Sequence, residues 1–210
     1  MTPPAERRGG VTARGRGTPP AKVRIVGGDW RRTPLPVVDA PGLRPTPDRV
    51  RETLFNWLGQ RLDGWHCLDL YAGTGALGLE AASRGAARVV LVEREPRAVH
   101  ALRDVQARLK AQDRVEIVQA DAAAWAAATR ERFHLVFLDP PFGGEELARV
   151  LPRMADLVEP DGFVYLESDQ ALLEGRPPLS GLPDFGLHRA DRAGQVHYHL
   201  LRRAPRPTGA

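Results

Sequence analysis

The stretch DLYAGTGALGLEAASRG, residues 69–85, joins an apolar strand-like run to a helix-like run and is the strongest indication of the fold class. Its glycines Gly73, Gly75 and Gly78 have the spacing G-x-G-x-x-G, and Glu93 follows about 20 residues later. This pattern is typical of the first strand-to-helix turn of a Rossmann-like fold, where glycines let the backbone approach a cofactor and the acid binds a ribose. We therefore predict an α/β protein with a mostly parallel sheet.

Outward from this turn, apolar runs alternate with helix-like stretches. The strand-like runs are HCLDLYA, RVVLVE, VEIVQA, LVFLD and GFVYLES, and the helix-like stretches cover residues 75–84, 96–111, 121–131 and 145–157. Strands that alternate with helices of this length predict a parallel sheet covered on both faces. After residue 168, LHRADR and QVHYHLLRR predict an antiparallel C-terminal hairpin that completes a seven-stranded sheet.

A different pattern precedes the sheet. VRIVGG (23–28) and RTPLPVV (32–38) predict a small β-hairpin, and the following segment predicts a helix that Thr46 or Asp48 caps, with Pro47 in its first turn. We predict four segments, listed in chain order as a disordered basic tail over residues 1–21, a hairpin and helix over 22–62, a main domain over 63–203 and a C-terminal tail over 204–210.

Charge is distributed unevenly along the chain. Residues 1–62 carry 12 Lys and Arg against 5 Asp and Glu, a net +7, whereas the remainder carries 18 against 21, a net −3. This asymmetry predicts that the N-terminal part faces a polyanion. The chain shows neither an apolar run of membrane-spanning length nor a secretory signal, and its single cysteine, Cys67, excludes a disulfide framework. We expect a cytoplasmic monomer with no membrane partner.

Acidic residues around the glycine turn indicate which cofactor it takes. Asp69 stands four residues before Gly73, where its carboxylate suits the ammonium of a methionyl group and repels a pyrophosphate. Asp121 ends the third strand, where its carboxylate and the next backbone amide, of Ala122, can bind an adenine amine. These acids favour S-adenosylmethionine over a nicotinamide dinucleotide. A glycine turn that serves only helix packing stays open as the alternative.

The stretch LVFLDPPFGG, residues 135–144, ends the fourth strand of the sheet abruptly, because proline donates no backbone hydrogen bond. Pro140 and Pro141 form a rigid shelf there. The Asp139 carboxylate and the Pro140 carbonyl can accept hydrogen bonds from an exocyclic base amine, and Phe142 can stack on the base. We predict that this shelf orients an amine towards the methyl group of the cofactor.

Several segments together identify a family. DPPF and DLYAGTGALGLEA are similar to motifs of class I S-adenosylmethionine-dependent N-methyltransferases. RIVGGDWRRTPLPV, GLRPTPDRVRETLFNWL and AGQVHYHLLRR narrow the resemblance to bacterial 16S ribosomal RNA guanine-N2 methyltransferases of the RsmD type, over residues 23–203. The resemblance implies methylation of N2 of one guanine in 16S ribosomal RNA, within a partly assembled small ribosomal subunit.

The matching motifs also imply the site residues. The cofactor would contact Asp69, Ala72, Gly73, Thr74, Gly75, Glu93, Asp121 and Ala122, and the target base would contact Asp139, Pro140, Pro141 and Phe142. The N-terminal hairpin and helix would hold RNA, with candidate contacts at Arg24, Trp30, Arg31, Arg32, Arg44, Arg49 and Arg51. Each of these arginines could instead be a solvated surface charge. No metal site is expected.

Three other functions fit parts of the pattern. A DNA adenine-N6 methyltransferase would share the DPPF chemistry, but the chain has no long insertion that could read a DNA site. A nicotinamide-dependent oxidoreductase would use the glycine turn alone. A non-catalytic RNA-binding ribosome assembly factor would use the basic N-terminal part without turnover.

Overall fold

The computed structural model describes residues 23–38, 46–141, 145–172 and 182–205. The predicted basic tail over residues 1–21 and the candidate contacts Arg44 and Phe142 lie outside these residues. Of the predicted C-terminal tail, the structure describes Ala204 and Pro205.

The two N-terminal strands form the predicted hairpin, although both are short. β1 (Val23–Arg24) pairs antiparallel with β2 (Pro34–Leu35). One further hydrogen bond, from Ile25 N–H to Thr33 O at 3.0 Å, extends the pairing towards the turn. Pro34 has no N–H to donate, which limits the ladder to fewer residues than the apolar pattern predicts.

The main sheet has seven strands and confirms the predicted class. Its strands are β3 (His66–Asp69), β4 (Arg88–Glu93), β5 (Val115–Gln119), β6 (Phe133–Leu138), β7 (Val158–Ser168), β8 (Phe185–Ala193) and β9 (Val196–Arg203). They lie in the order β5-β4-β3-β6-β7-β9-β8, with parallel pairing from β5 to β7 and antiparallel pairing of β9 with both neighbours. This mostly parallel sheet with an antiparallel C-terminal hairpin is a Rossmann-like α/β fold.

Helices cover both faces of the sheet, as its uninterrupted apolar strands require. They are α1 (Asp48–Trp57), α2 (Ala76–Ser83), α3 (Pro96–Leu109), α4 (Ala122–Ala128), α5 (Glu146–Val150) and α6 (Met154–Leu157). Buried residues of α1, α2 and α3 pack with Cys67 and Leu135 on one face, and those of α4, α5 and α6 pack with Leu68 and Val136 on the other. The alternation of side chains along each strand therefore builds two cores.

Two helix predictions need correction. The single helix predicted over 145–157 is divided into α5, a 3₁₀ turn at Leu151–Arg153 and α6, because Pro152 cannot continue the α-helical hydrogen bonds. The predicted cap of α1 at Thr46 or Asp48 is wrong: Pro47 occupies the cap position, and no side chain caps the helix. Thr46 instead turns its hydroxyl towards the carboxyl edge of the sheet.

No helix among the described residues is both long enough and apolar enough to cross a membrane.

Candidate active site

A cavity of about 450 Å³ opens at the carboxyl edge of the sheet, where the strand order reverses between β3 and β6. Ligands of open α/β sheets bind at this position because loops diverge there. The predicted site residues that line it are Asp69, Ala72, Gly73, Thr74, Glu93, Asp121, Ala122, Asp139, Pro140 and Pro141. One cavity thus joins the predicted cofactor residues to the predicted shelf.

The glycines of the first turn also have packing roles. Gly75 adopts a positive φ of 76° where α2 begins, and its N–H donates to Ala72 O at 2.6 Å. A Cβ on Gly78 would lie 2.2 Å from Leu91 Cδ2, so only glycine lets α2 approach β4 this closely. Helix packing therefore accounts for Gly75 and Gly78, neither of which lines the cavity.

Asp69 lies buried beneath the turn, at the end of β3. Its Oδ2 accepts a hydrogen bond from Gly78 N–H at 3.0 Å, whereas its Oδ1 has no partner among the described residues. Burial raises the pKa of the Asp69 carboxyl group to about 7. A buried carboxylate oxygen that lacks a partner can accept a hydrogen bond from a cationic ligand group.

Glu93 connects the end of β4 to the glycine turn. Its Oε2 accepts from Gly73 N–H at 2.8 Å, and its Oε1 accepts from Glu95 N–H at 2.8 Å. Each carboxylate oxygen can accept more than one hydrogen bond, so both oxygens keep capacity for a ligand. The backbone bonds fix the carboxylate at the cavity wall, where it can accept from the hydroxyls of a ribose.

Asp121 lines the cavity but also has two partners within the protein. It caps α4 by accepting from Ala124 N–H at 2.9 Å, and it pairs with the Arg149 guanidinium at 3.1 Å. The hydrogen bond from Ala124 N–H, together with Arg149, lowers the pKa of the carboxyl group. Asp121 therefore stays ionised, and the following residue, Ala122, also borders the cavity.

The shelf end of the cavity holds a cluster of acids and hydroxyls. Thr46 Oγ1 lies 3.3 Å from Asp139 Oδ2 and 3.1 Å from Glu167 Oε1. Tyr165 Oη–H donates to the same Glu167 oxygen at 2.7 Å. Desolvation at this end of the cavity raises the pKa of the Asp139 carboxyl group, and the neighbouring Glu167 and Asp69 carboxylates raise it further. Burial raises the pKa of Glu167 in the same way.

Three residues of this cluster, Thr46, Tyr165 and Glu167, were not predicted from the sequence motifs. One signal could have revealed Glu167: it stands one residue before the end of an apolar strand, much as Glu93 ends β4, and the carboxyl ends of parallel strands meet at one edge of the sheet. Thr46 carried no such signal, because it precedes a helix and resembles an ordinary cap residue.

Arg51 is not an RNA contact, which corrects the sequence-based expectation. Its side chain is fully buried, its guanidinium lies 3.3 Å from Glu80 Oε2 and 2.5 Å from Asp48 Oδ1, and it donates to Arg24 O at 2.8 Å. Burial lowers the pKa of Arg51, and the two carboxylates counter that shift. The residue joins α1, α2 and the hairpin inside the core.

The other described RNA candidates lie on α1 and on the N-terminal hairpin. Arg49 is exposed on α1, two residues after Pro47, which lines the cavity. Arg31 and Arg32 are exposed in the hairpin turn, which rests on the C-terminal end of α2. Trp30 is half-buried, and the Arg114 guanidinium carbon lies over the indole ring, 5.5 Å from the ring centroid. Arg24 is exposed and paired with Asp48 at 3.1 Å.

Solved structures with this architecture are described as methyltransferases. A candidate methyltransferase from Escherichia coli superposes with a TM-score of 0.75 and 40% identity, covering 89% of this chain and 100% of that one. A candidate methylase from Haemophilus influenzae superposes with a TM-score of 0.72 and 28% identity, covering 88% and 99%. The fold, with its cavity at the strand reversal, therefore defines a Rossmann-like methyltransferase.

The similarity extends to a particular family. A family model described as Conserved hypothetical protein 95 matches residues 23–202. Ribosomal RNA small subunit methyltransferase D of Escherichia coli K12 is 42% identical over 187 residues, which cover 87% of this chain and 90% of that protein. The protein of the same name from Haemophilus influenzae is 34% identical, and the match covers 87% of this chain and 96% of that protein. The chain belongs to this RsmD-type methyltransferase family, which confirms the resemblance drawn from the motifs.

Proposed function

We propose that this protein transfers a methyl group from S-adenosylmethionine to N2 of a guanine in 16S ribosomal RNA, within a partly assembled small ribosomal subunit. The observation that carries the proposal is a single cavity that joins the glycine turn and its acids to the Asp139–Pro140 shelf. The named activity of the relatives, methylation of small-subunit ribosomal RNA, supports the same substrate.

The cavity suits S-adenosylmethionine better than a dinucleotide. The unpartnered Asp69 oxygen would accept from the methionyl ammonium, the Glu93 carboxylate from the ribose hydroxyls, and Asp121 with the Ala122 amide would bind the adenine edge. A pyrophosphate in the same place would be repelled by Asp69. When bound, S-adenosylmethionine supplies an electrophilic methyl group on a sulfonium centre.

The shelf would prepare a poor nucleophile. The lone pair of an exocyclic base amine is conjugated into the ring, so the nitrogen must become tetrahedral to react. Hydrogen bonds from the amine to the Asp139 carboxylate and the Pro140 carbonyl would favour that geometry and orient the nitrogen towards the methyl group. The N–C bond would form as the C–S bond of the sulfonium breaks and releases S-adenosylhomocysteine, and the nitrogen would then lose one proton to the Asp139 carboxylate or to water. Because the methylated ammonium is strongly acidic, Asp139 need not be a strong base.

The basic N-terminal part would hold the RNA. Arg31, Arg32 and Arg49 are exposed, with no hydrogen bond or ion pair from their guanidinium groups among the described residues, and can contact phosphates. The candidate stacking residue Phe142 belongs to the same proposal.

The deciding experiment identifies the product. Unmethylated small-subunit particles are incubated with the protein and tritiated S-adenosylmethionine, and the RNA is digested and analysed by mass spectrometry. The expected nucleoside is N2-methylguanosine, whereas N6-methyladenosine would overturn the guanine assignment. Tight calorimetric binding of a nicotinamide dinucleotide, without binding of S-adenosylmethionine, would overturn the cofactor assignment.

A variant tests the role of the shelf. Asp139→Ala removes one acceptor for the amine, so methyl transfer should fall by at least about 100-fold while RNA binding is retained. The control is Asp104→Ala, an exposed carboxylate on α3, which should keep full activity. A non-catalytic assembly factor would instead show no transfer in the wild type and no effect of either variant on RNA binding.

A further inference from the structure

The recess at the shelf holds a second carboxylate, Glu167, that the chemistry above does not use. Glu167 is buried at the end of β7 and lines the same cavity as Asp139. The Thr46 hydroxyl reaches both carboxylates, at 3.3 Å and 3.1 Å, but its one proton can serve only one of them at a time. The two acids therefore lie close together with a shortage of donors.

The hydrogen bonds of Glu167 leave one oxygen free for a ligand. Tyr165 donates to Oε1, and Thr46 donates to the same oxygen when its proton is not directed to Asp139, whereas no hydrogen bond within the described residues reaches Oε2. No arginine or lysine within the described residues forms an ion pair with Asp139 or Glu167. Burial raises the pKa of Glu167, and the two hydroxyl donors counter that shift by favouring the carboxylate, which can only accept.

A pair of adjacent acceptors matches guanine and not adenine. The Watson–Crick edge of guanine presents two neighbouring donors, the N1–H and the N2 amine. Adenine presents its N6 amine beside N1, which is an acceptor and would face a carboxylate lone pair. A buried acceptor that meets another acceptor is left unsatisfied, and this costs the full desolvation of both groups.

We infer that Glu167 selects guanine by accepting a hydrogen bond from N1–H while Asp139 and Pro140 hold the N2 amine. This inference rests on the proposed function, since it assigns the base specificity of the same site. Thr46 and Tyr165 act as positioning residues, because they hold Oε1 and thereby fix the orientation of the carboxylate towards the cavity.

The test uses a base that differs from guanine at the inferred contact. 2-Aminopurine keeps the N2 amine but has neither the N1–H nor the O6 of guanine, so the Glu167 variant is needed to assign the effect to N1. Small-subunit RNA carrying either base at the methylated position is prepared by ligation and reconstituted, and kcat/KM for methyl transfer is measured. The wild type should prefer guanine by about 10- to 100-fold, the effect of one hydrogen bond to a charged group.

Glu167→Gln is the decisive variant, because its amide would donate to N1 of 2-aminopurine while its oxygen still accepts from Tyr165 and Thr46. We expect its rate on guanine to fall and its rate on 2-aminopurine to rise, which removes or reverses the preference. Glu159→Gln, the same substitution at the other end of β7, is the control and should keep the wild-type ratio.

The outcomes separate this inference from the proposed function. If the wild type methylates both bases equally, or if Glu167→Gln lowers both rates by the same factor, the inference is overturned. Even if Glu167→Gln does not fold, equal wild-type rates on the two bases would overturn the inference. If the wild type transfers no methyl group to guanine, the proposed function itself is wrong.

Discussion

At the scale of single residues, Asp69 gives the ligand-free protein a defined response to pH. Burial raises the pKa of its carboxyl group from 3.8 to about 7, so between these values the folded state holds a proton that the unfolded chain has lost. Stability therefore falls as pH rises through this window, by at most about 1.4 kcal/mol per pH unit from this group. Asp139 and Glu167, whose pKa values are also raised, add slopes of the same sign.

Asp69→Asn should flatten this dependence, since an amide does not titrate. Urea unfolding of the ligand-free protein between pH 4 and pH 8 measures the free energy of unfolding, and the difference between wild type and variant should shift in favour of the variant as pH rises. Asp104→Asn, at an exposed position, is the control. Parallel curves for wild type and Asp69→Asn would show that the Asp69 carboxyl group is not perturbed.

The sequence could predict the acids at strand ends but not their neighbours. Asp69, Glu93 and Asp139 follow apolar runs whose carboxyl ends must meet at one sheet edge, so their convergence follows from the fold class. The contact between Thr46 and Glu167 joins positions 121 residues apart and depends on how α1 packs on the sheet. Arg51 shows the opposite failure, because a basic residue on a predicted helix reveals its charge but not its buried partners.

At the scale of elements, the N-terminal hairpin is held against the end of α2 by Ser83. Asp29 N–H donates to Ser83 O at 2.8 Å, Trp30 N–H donates to Ser83 Oγ at 2.9 Å, and Ser83 Oγ–H donates to Gly27 O at 2.6 Å. Gly28 adopts a positive φ of 72° within this contact. The hairpin turn thus depends on a close backbone approach to a helix terminus.

Gly28→Ala should weaken this contact. An added Cβ would lie 1.9 Å from Ser83 O, so the hairpin would have to move away from α2. Gly59→Ala is a matched control, since Gly59 also has a positive φ, of 88°, but no atom lies within 4 Å of its added Cβ. Both variants incur backbone strain of about 1 kcal/mol, and Gly28→Ala should lose more in urea unfolding. Equal losses would mean that the close approach carries no stability.

Element type could be predicted from the sequence more fully than element limits. The sequence pattern located every strand of the main sheet, and the central strands β3, β4 and β6 gave the strongest signal because strands covered on both faces are continuously apolar. It did not locate the break at Pro152, where three short helical pieces keep one apolar face over residues 146–157. The strands β1 and β2 are also shorter than their apolar runs, since proline removes ladder donors.

At the scale of the whole molecule, the N-terminal hairpin and α1 share a core with the sheet. Val23 and Leu54 belong to the same buried cluster as Leu91 on β4. A buried ion-pair network joins the parts: Glu80 pairs with Arg51 at 3.3 Å and with Arg84 at 2.8 Å. The charge asymmetry predicted a separate N-terminal region but could not show this shared interior, because charge reports on surfaces.

Glu80 is therefore expected to control the stability of the entire protein. Its Oε2 also accepts from Val26 N–H at 2.7 Å. Glu80→Gln would remove the counter-charge of the buried Arg84 guanidinium and leave Arg51 with Asp48 as its remaining carboxylate partner. Removing one member of a buried ion-pair network costs about 3–5 kcal/mol. Asp63→Asn, which breaks an exposed pair with Arg61, is the control and should have no measurable effect.

Urea unfolding followed by both tryptophan fluorescence and far-UV circular dichroism provides the measurement. In a background that carries Trp65→Phe and Trp125→Phe, the fluorescence of Trp30 and Trp57 reports on the hairpin and α1, whereas circular dichroism reports mainly on the helices and strands of the main domain. Because one core and one ion-pair network connect these parts, the two signals should share a midpoint in the wild type. In Glu80→Gln both midpoints should fall together. Separate midpoints in the wild type would show that the hairpin and α1 unfold independently and that the network does not couple them to the sheet.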